Sequence, residues 1–199
     1  MKLKMSRLLL GVAAGMALLA GPGAPAGADE APGTYVEVTF SDSDLASSNG
    51  PGPQAVTESD RFVLINGGAG WPQDEAPVEY LVIDEPSRAA ARAVEQAVAT
   101  LDGFITTRSF SRVSKSSQIN PCTGQPNTVS WRSGDGPGGT LAVAGVCVNT
   151  QAQAIVGFRI AFDLFDTWAT NGDPESFDVQ NVATHEAGHM AGLGHVNAP

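Results

Sequence analysis

The stretch His185-Glu186-Ala187-Gly188-His189-Met190-Ala191-Gly192-Leu193-Gly194-His195 holds all three histidines of the 199-residue chain. On a helix, His185 and His189 lie four residues apart and project from one face, where their ring nitrogens can take two corners of a tetrahedron around Zn²⁺. The third corner has to come from beyond the helix. Gly192 falls where the helix must stop, and without a Cβ it can adopt the left-handed conformation that turns the chain and returns His195 to the metal. Water is left with the fourth corner, the arrangement of a catalytic site.

Glu186 follows the first ligand directly, so its carboxylate can reach a metal-held water without binding the metal itself. That geometry suits a general base. Zinc brings the pKa of bound water to about 7, and a carboxylate that takes the proton and hands it to a leaving amine completes amide hydrolysis with no serine or cysteine nucleophile. In the helix leading to the site, Val179, Ala183, Ala187 and Met190 recur at helical spacing away from the ligands and read as core. Asp178 or Ser176 caps its start.

The pattern HExxHxxGxxH resembles the zinc signature of the metzincin metalloproteases. Two further blocks resemble the matrixins among them: Phe158 to Trp168, like the matrixin strand ending in FD before an acidic residue and tryptophan, and Asp135 to Ala144, like the loop DGPGGxLAxA. The resemblance covers roughly residues 60 to 195. It implies an α+β, zincin-like catalytic domain: a twisted, mixed five-stranded sheet with one long helix and one active-site helix. It also implies that a peptide substrate lies along an edge strand beginning at Leu141 and Ala142, adding its backbone to the sheet.

Departures from the family shape the expected metal content. Val143 and Ala161 stand where matrixins commonly place histidines for a second, structural zinc, so that ion is not expected here. Asp135, Asp163 and Asp166 fall at acidic positions of the family's calcium site, and carboxylate oxygens suit Ca²⁺; the same acids also read as solvated loop carboxylates. Metzincins carry a methionine turn after the third histidine, whereas the last methionine here is Met190. The expectation is that the 199 residues belong to a longer reading frame and lack the C-terminal part of the domain.

At the other end, Lys2, Lys4 and Arg7 precede the apolar run Leu8 to Ala20, and Ala26-Gly27-Ala28 follows. This is the pattern of a secretory signal peptide over residues 1–28, its apolar core shorter than the roughly 20 residues a membrane span needs. Its removal leaves 8 basic against 21 acidic residues and moves the formal charge from −10 to −13. So acidic a chain is not expected to bind nucleic acid or anionic membrane, which call for clustered Lys and Arg. The expected partners are peptide or protein substrates, met by a monomer outside the cell with no membrane anchor after cleavage.

Cys122 and Cys147 are the two cysteines. In an exported chain an even pair reads as a disulfide. Pro121 to Asn127 faintly echoes the matrixin propeptide switch, but that element belongs ahead of the catalytic domain and Cys122 lies within it.

Residues 29–60 are rich in Asp, Ser, Gly and Pro and read as a loosely ordered lead-in or short propeptide, with one β-like alternation at Tyr35 to Phe40. The compact domain is expected over 61–199. Val78 to Ile83, Phe104 to Phe110, Thr128 to Trp131, Leu141 to Asn149 and Ile155 to Phe162 read as strands. Between the first two, Pro86 opens a helix whose apolar stripe is Ala90, Val94, Ala97, Val98 and Leu101, ended by Gly103. Gly188 reads as room for close helix packing, and Trp71, Trp131 and Trp168 as packing residues. The function expected is zinc-dependent endopeptidase; the competing reading is an inert secreted module that keeps the zinc site and binds a peptide or protein.

Overall fold

The computed structural model describes residues 34–41, 63–73, 76–102 and 108–195. In chain order these carry β1 (Tyr35–Ser41), β2 (Val63–Leu64), β3 (Val78–Ile83), α1 (Arg88–Asp102), β4 (Phe110–Arg112), β5 (Thr128–Arg132), β6 (Ala142–Asn149) and β7 (Ala154–Asp163). Then come β8 (Trp168–Ala169), β9 (Phe177–Asp178), α2 (Val179–Met190) and β10 (Leu193–Gly194). Among these residues no helix is long and apolar enough to cross a membrane.

Six strands form one mixed sheet in the order β1-β6-β7-β5-β3-β4. β7, β5, β3 and β4 run parallel, while β6 is antiparallel to both β7 and β1. The crossover from β3 to its parallel neighbour β4 is made by α1, as parallel pairing requires a long connection. Of the strand expected from Phe104, residues 103–107 lie outside the described part, and β4 begins at Phe110.

Two differences from the sequence reading bear on function. The sheet has six strands where five were expected, and the sixth comes from the lead-in: β1 pairs along β6 from Tyr35 opposite Asn149 to Ser41 opposite Val143. The alternation at Tyr35 to Phe40 was therefore a true strand, and the folded unit includes residues ahead of 61. As a consequence β6 is an inner strand from Val143 to Asn149, so the edge expected there for a peptide is already taken. An isolated alternation cannot announce its partner, because pairing is settled by contacts distant in sequence.

α1 starts at Arg88, two residues after Pro86: the Ser87 hydroxyl accepts the Ala90 amide at 3.1 Å. Its buried stripe, Ala90, Val94, Ala97 and Val98, meets α2 and the inward residues of the sheet. Tyr80, Trp131, Phe158 and Phe162 fill that core, each no more than 2% exposed. Trp131 stacks on Phe162 with ring centroids 4.7 Å apart. Burying side chains of this size contributes about 1.5–3 kcal/mol each and fixes α2 against the sheet. A smaller cluster of Ile65, Ala69, Val146, Val148 and Ile155, joined by Val38 and Phe40 of β1, lies beside it.

Candidate metal centre

Asp178 caps α2: its carboxylate accepts the Asn181 amide at 2.9 Å, so of the two candidate caps this is the one used. Val179, Ala183, Ala187 and Met190 are buried by 97% or more, which turns the opposite side of the helix toward the cleft. There His185 and His189 come together with His195. Their Nε2 atoms form a nearly equilateral triangle, 3.1 Å from His185 to His189, 3.1 Å from His185 to His195 and 2.9 Å from His189 to His195. Nitrogens on a tetrahedral zinc with bonds of about 2.0–2.1 Å would be about 3.3 Å apart. The three rings thus offer one triangular face of such a site, and they are the one group of this kind among the described residues.

The other nitrogen of His189 is also committed. Nδ1 lies 2.7 Å from the Leu193 carbonyl oxygen, which can only accept, so Nδ1 carries the proton and Nε2 is left with its lone pair toward the metal position. Donor chemistry and spacing both fit Zn²⁺. Glu186, on the same helix next to His185, is fully buried.

Delivery of His195 depends on Gly192. The helix ends at Ala191, and Gly192 takes φ +103°, where an added Cβ would meet the Ala69 carbonyl oxygen at 3.1 Å and Ile155 at 3.4 Å. Its carbonyl accepts the Ile65 amide at 3.0 Å, and β10 then pairs with β2, Leu193 opposite Leu64. Sequence reasoning found the glycine but missed this brace over residues 63–70, which carries no motif. Trp71 packs against the core as expected, and, beyond what its sequence context suggested, its indole N–H donates to the Met190 carbonyl at 2.8 Å and ties down the helix end. Gly188 does not have the packing part expected of it, since a Cβ there would meet nothing nearer than Leu193 at 3.8 Å.

Phe40 is the other residue that motif reading passed over. Its ring stacks on His189 with centroids 4.1 Å apart and planes 6° from parallel, and it meets the His195 ring edge-on at 5.8 Å. β1 thereby reaches the rim of the histidine triangle.

On the other side of the site, a cleft of about 760 Å³ runs beside His185, walled by Leu141, Pro174, Phe177, Val182 and Thr184. Leu141 thus lines the same cleft as His185, whereas Ala142 is buried in the sheet opposite Phe162. Val143 and Ala161, neither with a donor atom, face each other across β6 and β7 and help line a notch of about 280 Å³.

Asp135, Asp163 and Asp166 do not gather as a cation cage among the described residues. Their oxygens hold the glycine-rich loop instead. Asp163 accepts the amides of Gly134, Gly136 and Phe165 at 2.9–3.2 Å, Asp166 that of Gly138 at 2.8 Å, and Asp135 that of Thr140 at 3.0 Å. Burial pushes the Asp163 pKa up, but the backbone amides of Phe165, Gly136, Gly134 and Asp135 outweigh it and hold it below the usual 3.8. The disulfide Cys122–Cys147 ties the loop before β5 to β6.

Comparison with known proteins agrees with this geometry. A stretch of 67 residues is 39% identical to Metalloendoproteinase 1 of Glycine max, covering 31% of this chain and 19% of that protein. The chain therefore spans well under two thirds of the relative it matches. The matrixin family, peptidase M10, matches over residues 71–199, from the tryptophan that ties down the helix end through all three histidines. Five of the six sheet strands, β3 to β7, fall within that match together with the helix pair and the histidine triangle, while β1 lies ahead of it; the chain belongs to the matrixin family.

Proposed function

We propose that the chain is a secreted zinc endopeptidase that cleaves peptide bonds in extended protein segments. The observation that carries this reading is the Nε2 triangle of His185, His189 and His195 with Glu186 on the same helix. Zinc held by the three histidines would supply a Lewis acid for the substrate carbonyl and a water acidic enough to lose its proton near neutral pH. Glu186 would accept a proton from the attacking water as its oxygen bonds to the carbonyl carbon. It would then give the proton to the amide nitrogen as the carbon–nitrogen bond breaks, and with the water's second proton also passed to the nitrogen the products are a carboxylate and an ammonium group, without a covalent enzyme intermediate. His189, fixed through the Leu193 carbonyl, keeps its ring oriented throughout.

The cleft walled by Leu141 and Val182 lies where a side chain next to the scissile bond would enter. Its lining mixes apolar Leu141, Pro174, Phe177 and Val182 with the acids Asp173 and Asp178, so it suits a side chain with an apolar body and a neutral or basic end. Export follows from the signal-like residues 1–28, and the Cys122–Cys147 bridge is in keeping with an oxidising destination.

The test is hydrolysis of a denatured generic protein by the zinc-loaded chain, with Glu186→Gln and a chelated sample beside it. Cleavage lost in both controls supports the reading. Bound zinc without cleavage would leave a module that holds peptide and does no chemistry.

A further inference from the structure

β1 occupies the whole outer edge of β6 from Val143 to Asn149. An edge strand has one free row of backbone amides and carbonyls, and two strands cannot pair with the same row. Any peptide that adds to this edge has to displace the chain's own segment. The carboxyl end of β1 lies at the site: Ser41 is opposite Val143, two residues from the cleft-lining Leu141, and Phe40 covers the face of the His189 ring.

Two side-chain devices on opposite faces of the sheet hold the strand in place. On one face, Glu37 reaches past Gly145 to Arg159 of β7, its two carboxylate oxygens meeting Nε and Nη2. A Cβ on Gly145 would collide with the Glu37 carboxylate and come within 3.1 Å of the Arg159 Nε, so the glycine leaves the passage open. On the other face, three residues along, Phe40 stacks on His189, while Val38 packs on the small cluster beneath. A slip of one residue would reverse both devices at once, so together they fix the register.

We propose that residues 35–41 are a self-supplied occupant of the peptide-capture edge, which blocks substrate on that side of the histidine triangle until the strand is displaced. Only the blocking consequence rests on the peptidase reading; the occupancy does not. A peptide that replaces the strand would meet the same features: Arg159 for an acidic side chain and, three residues later, the His189 face for an aromatic one.

The experiment uses the full chain loaded with zinc. In a Glu186→Gln background, which keeps peptides intact, a fluorescent peptide with the sequence of residues 34–41 is titrated by anisotropy, and hydrogen exchange follows the β6 amides turned toward β1. The expected result is that Glu37→Arg and Phe40→Ala, separately, strengthen peptide binding about tenfold and speed exchange of those amides comparably. α2 amides should be unchanged, which separates strand release from unfolding. Adding Arg159→Glu to Glu37→Arg should restore the protection, an outcome a mere folding defect would not give. Equal binding by parent and variants, or unchanged protection of β6, would overturn the proposal.

With Glu186 present, faster hydrolysis of a denatured protein by the opened variants supports the block, and measurable hydrolysis at equal rates by parent and variants overturns it. Restored binding with no hydrolysis by any variant would overturn the peptidase reading and keep β1 as the occupant of a peptide-binding edge.

Discussion

At the scale of single residues, the site is built from a few atoms that have one workable position each. Gly192 has to take a left-handed φ so that His195 can return, and L residues with a Cβ resist that conformation by about 1–2 kcal/mol. Gly192→Ala is therefore expected to lower stability by about that amount, or somewhat more given the contact with the Ala69 carbonyl, and to weaken zinc binding. Thermal melting of the metal-free chain and competition with a chelating dye would measure the two effects separately. Asp163 makes a pH prediction. Its folded pKa lies below 3.8, so it contributes stability that is fully present above the unfolded value and is lost as the pH falls through the folded one. Asp163→Asn is expected to cost about 2 kcal/mol at neutral pH, since hydrogen bonds to a buried charge are lost, and to flatten the acid limb of the stability curve below about pH 4. Denaturation series at several pH values would check both the size and the slope.

At the scale of elements, α2 carries His185, His189 and Glu186, the proposed ligands and base, and its start is set by one side chain. Asp178→Ala should cost about 1 kcal/mol, read from the denaturation midpoint, with the histidine spacing and zinc content retained. This helix was legible in the sequence because its cues are local: a capping acid, apolar residues at helical spacing, two histidines four apart and a stop glycine. The strands β3, β5, β6 and β7 were legible to within a residue for a similar reason, as β-branched runs bounded by turn residues. What escaped was long-range. β1 pairs with residues more than a hundred positions away, and the brace from Ile65 to Gly192 joins two segments without motif or charge to link them. The three aspartates show the converse limit. Their residue type suited a cation, but the structure turns their oxygens to loop amides, which no spacing rule would reveal.

At the scale of the whole molecule, the central sheet brings the histidine helix, the cleft beside Leu141 and the bridge between Cys122 and Cys147 into one framework. The bridge closes a loop with a sequence separation of 25, worth roughly 3 kcal/mol in the chain-entropy account. Reduction is expected to lower the denaturation midpoint accordingly, and the double variant Cys122→Ser with Cys147→Ser should match the reduced chain. The matrixin match, over residues 71–199, takes in the glycine-rich loop, β6 and α2. The claim that matters most is that the chain cleaves peptide bonds through Glu186. Its most direct test is the rate of hydrolysis of a denatured protein by the zinc-loaded chain and by Glu186→Gln, with zinc content measured in both. The account predicts equal zinc and a loss of hydrolysis to background in the variant; hydrolysis that survives the substitution, or zinc that is lost with it, would contradict the part given to Glu186.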